Sequence, residues 1–120
     1  MKTLLIIIML LIPVQSFAFD EWSKTDIALE AVYTTLHVID WGQTLNIADN
    51  PYRYYETNPI LGKCPSRSDV NVYMASSLVL HTIVTAVLPK EYRPWFQAVT
   101  IGIEGAMLIN NFNLGIKTAF

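Results

Sequence analysis

Apolar residues fall into four runs along this chain, and in the last three the polar residues recur at helical rather than strand spacing. Thr25 or Asp26 can cap a helix that Asp49-Asn50-Pro51 closes, which predicts a helix over about 26–48. From Val70 to Leu88 only Ser76, Ser77, His81, Thr82 and Thr85 interrupt the apolar pattern, and Pro89 ends it, which predicts a second helix over about 70–88. Pro94 suits the first turn of a third helix, over about 94–113, with Gly115 as its stop. Between the first two helices lies the densest turn chemistry in the sequence, Tyr55 to Ser66. There Pro59 biases Asn58 away from helix, and Gly62 and Pro65 interrupt any helix that follows. Ser66 or Ser68 can then cap the second helix, with Asp69 in its first turn.

Each helix carries one narrow polar line. At about 3.6 residues per turn, Glu30, Tyr33, Thr34, His37, Asp40, Trp41 and Thr44 share a face of the first, with Gln43 well off it. Tyr73, Ser77, His81 and Thr85 line up on the second helix, and Gln97, Thr100, Glu104 and Asn111 on the third. Three apolar cylinders with one polar line apiece are most simply satisfied by turning the lines toward each other. Gly102 and Gly105, with Ala98 and Ala106, offer a thin surface on the third helix, expected to serve core packing rather than dimerisation.

Composition moves the picture toward a membrane. Hydrophobic residues make up 52% and charged residues 15%, well below the roughly 25% charged of soluble domains. A net charge of -2 without a basic patch argues against nucleic acid as a partner. Cys64 is the single cysteine, which excludes an intrachain disulfide and a cysteine-based zinc cluster. Lys2 followed by the apolar run Leu4 to Ile12, with Ser16-Phe17-Ala18 as a cleavage site, predicts a signal peptide over 1–18; an uncleaved anchor is the alternative.

The mature chain, 19–120, is then one all-α domain, a small transmembrane bundle of three spanning helices. Arg53, Lys63 and Arg67 in the first loop, against Lys90 and Arg93 in the second, place the Glu56 loop and Lys117 in the cytoplasm. The expected location is the inner (cytoplasmic) membrane, multi-pass, with the mature N-terminus periplasmic and lipid as the first partner. A soluble periplasmic helical bundle is the competing reading, since the first helix is so polar.

Asp40, His37, His81 and Glu104 all fall roughly 12–16 Å deep, within a turn of one another near the bilayer centre. An ionised group there costs roughly 2.5–3.5 kcal/mol on insertion scales, so such residues pair, neutralise or face water. Three uses follow. As mutual hydrogen-bond partners they fix helix register, and the protein acts through a protein partner or as a homo-oligomer. As ligands, His37, Asp40, His81 and Glu104 form a valid set for a divalent metal in an intramembrane enzyme or metal-binding protein, although no tight motif supports it. As a relay they carry protons or ions. Catalytic candidates are Asp40, Glu56, His81 and Glu104. Glu56 either anchors nearby backbone amides such as that of Asn58, or folds back with its loop onto the inner mouth of the polar core. Nothing in the sequence calls for an organic cofactor.

Asp40-Trp-Gly-Gln-Thr44, Glu56-Thr-Asn-Pro-Ile-Leu-Gly62, Pro65-Ser66, His81, Leu88-Pro89 and Glu104 form a pattern over roughly residues 40–111. The pattern resembles small uncharacterised helical membrane proteins of proteobacteria and tailed phages. That resemblance implies a helical membrane fold and brings no activity with it; in a phage setting it implies lysis or exclusion of other phages.

Overall fold

Two serines start the first two helices in the same way. In the computed structural model, which describes residues 20–120, helix α1 spans Lys24–Asp49, α2 Arg67–Val87 and α3 Arg93–Asn113. The predicted signal peptide lies outside the described residues. Ser23 caps α1 and Ser66 caps α2, each accepting from the backbone N–H three residues on, while Asp26 and Asp69 reach back to the cap N–H. These are capping boxes with Asp in place of the usual Glu or Gln. Helix α1 therefore begins before Thr25, and Asp26 is the reciprocal partner rather than the cap. Helix α3 has Pro94 in its first turn, where a missing N–H costs nothing. The expected turns are present: Gly62 and Gly115 take positive φ, at 78° and 76°.

Among the described residues all regular structure is helical. Helix α1 is the central element and packs on both others, whereas α2 and α3 meet more sparingly. At roughly 1.5 Å per residue, 26, 21 and 21 residues give lengths of about 39, 32 and 32 Å. By length and apolarity together, Arg67–Val87 alone among the described residues qualifies as a candidate membrane span. Helices α1 and α3 are long enough, but their polar lines dilute their apolar character.

Burial runs opposite to that of a water-soluble bundle. Among the described residues, seven hydrophobic side chains are buried against eleven polar or charged ones, which include Asp26, His37, Asp40, Glu56, His81, Arg93 and Gln97. The outer surface is apolar: Ile27, Val32, Val72, Val79, Leu80, Ile83, Val99, Ile103 and Ile109 are all exposed. Water-soluble folds almost never bury Asp, Glu and Arg in preference to Val and Ile. The inward turning of the three polar lines is thus the organising fact of the fold.

A conventional apolar cluster lies toward the Glu56 end, where Leu45, Val70 and Met74 pack with Trp41, Ala48 and Tyr73 around them. There the chain after α3 also folds back on α1. Ile116 is buried, Ala119 donates its N–H to the Gly42 carbonyl, and Asn46 donates to the Lys117 carbonyl. Gly42 is what permits this approach, since a Cβ there would lie 2.6 Å from Phe120 Cε2 and 2.9 Å from Thr118 Cβ. Because this strap and α3 enclose α1 from further sides, Gln43 is fully buried, contrary to its position off the polar face; its side-chain oxygen accepts from Asn111 at 2.9 Å.

The glycines of α3 also differ from expectation. A Cβ added at Gly102 or Gly105 would meet nothing within 4 Å, and Ala98 and Ala106 are exposed. Ala98, Gly102 and Ala106 lie on the outer surface and Gly105 is half-buried with open space beside it, so the thin face does not serve close packing among the described residues.

Candidate functional site: a paired polar seam ending in an acid-lined cleft

The seam is built from pairs. At the end near the α2–α3 turn, Arg93 is fully buried and its guanidinium gathers carbonyls: Nε donates to Thr85, Nη2 to Ala86 and Asp20, and Nη1 to Glu21, with Asp26 Oδ2 at 3.5 Å. Five donors in a fixed fork suit this role, which an ammonium could not fill. A loop charge by sequence position, Arg93 is in fact an interior clamp joining α2, α3 and the segment before α1.

One turn further in, Glu30 is the acceptor around which three helices meet. His81 Nδ1 lies 2.9 Å from its Oε1, and Gln97 donates to its Oε2 at 2.9 Å and to the Asp26 carbonyl. The other His81 nitrogen lies 2.8 Å from Thr100 Oγ1. Thr100 Oγ1 also lies 3.0 Å from the Phe96 and Gln97 carbonyls, so Glu30, His81 and Thr100 form one hydrogen-bonded chain from α1 through α2 to α3.

The second pair repeats this logic. His37 Nε2 lies 2.9 Å from the Met74 carbonyl, which can only accept, while Nδ1 lies 2.9 Å from Glu104 Oε1. Imidazolium with carboxylate, or imidazole with carboxylic acid, each leaves the pair net neutral. Tyr33 separates the two pairs: its ring stacks on His81 at 3.5 Å between centroids and on His37 at 5.5 Å, and its hydroxyl lies 3.4 Å from His37 Nδ1.

Arg93 with Asp26, His81 with Glu30 and His37 with Glu104 account for three of the five buried or nearly buried carboxyls of the seam. Asp40 and Glu56 are the other two, and among the described residues no Lys, Arg or His side chain is hydrogen-bonded to either. Asp40 is 4% exposed, lies within side-chain hydrogen-bond reach of Glu104, and receives Asn111 Nδ2 at 3.5 Å, the outer limit of a hydrogen bond. Glu56 is 6% exposed, so its loop does fold back onto the bundle. Its Oε1 also accepts the N–H groups of Thr57 and Asn58, so both uses foreseen for this residue coexist. The loop is fixed further by Asn58 donating to Tyr73 Oη and by Glu56 N–H to the Lys63 carbonyl.

Asp40 and Glu56 stand between two cavities and line both. One, of about 270 Å³, lies toward Ile47, Asn110, Asn111 and Ile116. The other, of about 370 Å³, is a cleft with Tyr33, His37 and Asp40 as its floor, Tyr73, Met74 and Ser77 of α2 on one wall, and Ile103, Glu104 and Met107 of α3 on the other. Glu56 to Asn58 and Leu61 roof it. The bonds between α2 and α3 (His81 to Thr100, and Arg93 to Thr85 and Ala86) all sit at the opposite end, so the two helices part toward the Glu56 loop.

Of the residues singled out by spacing, the structure brings together His37, Asp40, Glu56 and Glu104, and sets His81 apart with Glu30. Glu30 was visible only as one member of the α1 stripe. No three His, Cys, Asp or Glu side chains among the described residues converge to hold a metal ion. Both nitrogens of each imidazole already have protein partners. No family model, curated protein or solved structure matches the chain.

Proposed function

We propose that this chain is a small multi-pass protein of the cytoplasmic membrane that acts by recognition, through a ligand or partner, with its polar seam as structural glue. The observation that carries the reading is the inverted burial: Arg93, Gln97, Asp26 and two His–Glu pairs inside, Val79, Leu80, Ile83, Val99 and Ile103 outside. In hydrocarbon this is the stable arrangement, because lipid solvates the apolar surface and interhelical bonds satisfy the polar groups. Such bonds add only about 0.6–2 kcal/mol each, but they fix which helix faces meet. The apolar length of α2 and the resemblance of the sequence to small membrane proteins agree with it. In this reading the Glu56 loop and Lys117 face the cytoplasm. Removing buried Arg93 from the second loop leaves Lys90 alone there, which strengthens the charge asymmetry.

Alkaline carbonate extraction tests the assignment. The chain should stay with the membrane pellet; release into the supernatant would support the soluble bundle instead.

One observation favours a second reading, a proton path. Glu30, His81, Tyr33, His37, Glu104, Asp40 and Glu56 follow one another along the seam. Its weak link is Tyr33, which meets His81 by ring stacking and not by a hydrogen bond. Proton flux into liposomes that falls on Asp40→Asn would favour the path; background flux in both proteins would remove it.

A further inference from the structure

Two carboxyls without a basic partner, each more than nine-tenths buried and each lining the same cleft, need an explanation that the paired seam does not supply. Every other buried charge in the seam is matched within the chain. Around the cleft, α1 presents Tyr33, His37 and Asp40, α2 presents Tyr73, α3 presents Glu104 and the loop presents Glu56; no Lys or Arg lines it.

We propose that the cleft between α2 and α3 binds an organic ammonium, its nitrogen held between Asp40 and Glu56 and its apolar skeleton against Leu61, Ile103 and Met107. The inference rests on the membrane reading above and names what that protein recognises.

Three observations select this ligand class. Neither carboxyl has a Lys or Arg beside it among the described residues, and Asp40 lies within hydrogen-bond reach of a second carboxyl, Glu104, so a donor brought by a ligand is favoured there. Asp40 comes from α1 and Glu56 from the loop, so the two reach the cleft from different elements, and an ammonium offers three N–H donors pointing apart to meet both. The cavity, about 370 Å³, falls within the roughly 300–1,000 Å³ typical of small-molecule sites and far exceeds one cation. Its lining supplies both kinds of contact, with Tyr33, Ser77 and the carboxyls as polar groups and Met74, Leu61, Ile103 and Met107 as apolar ones. Ile103 is also exposed on the outer face of α3, so the cleft reaches the bundle surface between the parted helices. An amphiphilic amine partitioned into the membrane can therefore enter sideways.

The test is a calorimetric titration of protein purified in detergent from the membrane fraction, using n-hexylammonium chloride as the probe and 1-hexanol as its uncharged counterpart. Hexylammonium should bind saturably at one site per chain, and hexanol at least about tenfold more weakly, the scale of one charge-assisted hydrogen bond. Glu56→Gln and Asp40→Asn should each weaken hexylammonium binding by about tenfold. Ile103→Trp changes an exposed position and should close the mouth while leaving the helical circular dichroism unaltered, so loss of binding there does not depend on the carboxyl variants folding. Equal binding of amine and alcohol, or hexylammonium binding unchanged in both Glu56→Gln and Ile103→Trp, would overturn the proposal. A chain found only in the soluble fraction would count against the membrane reading, and the same titration on that soluble protein would still decide the site.

Discussion

His37 on α1 and Glu104 on α3 meet at 2.9 Å although 67 residues separate them, and the other nitrogen of the same imidazole reaches the Met74 carbonyl on α2. One side chain thereby ties all three helices at mid-seam. His37→Ala should remove both bonds and leave the Glu104 carboxyl without its imidazole partner, lowering stability by about 1–3 kcal/mol. Unfolding in mixed micelles measures it. In a double-mutant cycle, Glu104→Gln should cost much less in the His37→Ala background than alone, and additive losses would show that the two do not act as a pair.

Arg93 makes a stronger demand. Its guanidinium is fully buried against four carbonyls and Asp26, so Arg93→Ala should destabilise by about 3–5 kcal/mol through loss of the clamp and an uncompensated Asp26. Arg93→Lys should restore little, because one ammonium cannot reach acceptors spread over the fork. Thermal melts of the two variants in detergent should lie close together and well below wild type.

The strap after α3 predicts a coupling visible nowhere in the helices. Gly42→Val should destabilise by about 1–3 kcal/mol, the usual cost of overpacking, since a Cβ alone would already collide with Thr118 and Phe120. Deleting residues from Thr118 onward should itself cost stability and abolish the effect of Gly42→Val. If the substitution is equally harmful in the truncated chain, the strap is not what Gly42 accommodates.

Cys64 is exposed on the Glu56 loop and is the only thiol in the chain. A membrane-impermeant maleimide should label it only after the cells are permeabilised. Labelling in intact cells would reverse the orientation.

Much of this architecture was legible in the sequence, because helical spacing fixes which residues share a face. The lines Tyr73-Ser77-His81-Thr85 and Gln97-Thr100-Glu104-Asn111 all point inward, and Ser66 with Asp69 starts α2 as turn chemistry requires. Spacing does not fix pairing across helices. It grouped His81 with Asp40 and Glu104 by depth, whereas rotation and tilt give His81 to Glu30 and His37 to Glu104. Long side chains near helix ends were misplaced for a related reason: Arg93 has the reach to turn inward, so its position beside Pro94 reads as loop although its head is buried. Gln43 and the glycines of α3 depend on what covers a helix from outside. That comes from the strap at Gln43 and from open surface at Gly102, and no periodicity within one helix contains either.

Whether Val79, Ile83 and Ile103 face lipid decides between a membrane bundle and a water-soluble one. Site-directed spin labels at these positions, in protein reconstituted into liposomes, report collision with oxygen, which concentrates in hydrocarbon, and with a water-soluble nickel chelate. In a membrane bundle all three show high oxygen and low nickel accessibility, with a label at exposed Lys63 in the loop showing the opposite. High nickel accessibility at Val79 and Ile103 would contradict the membrane reading and mark the apolar surface as water-facing.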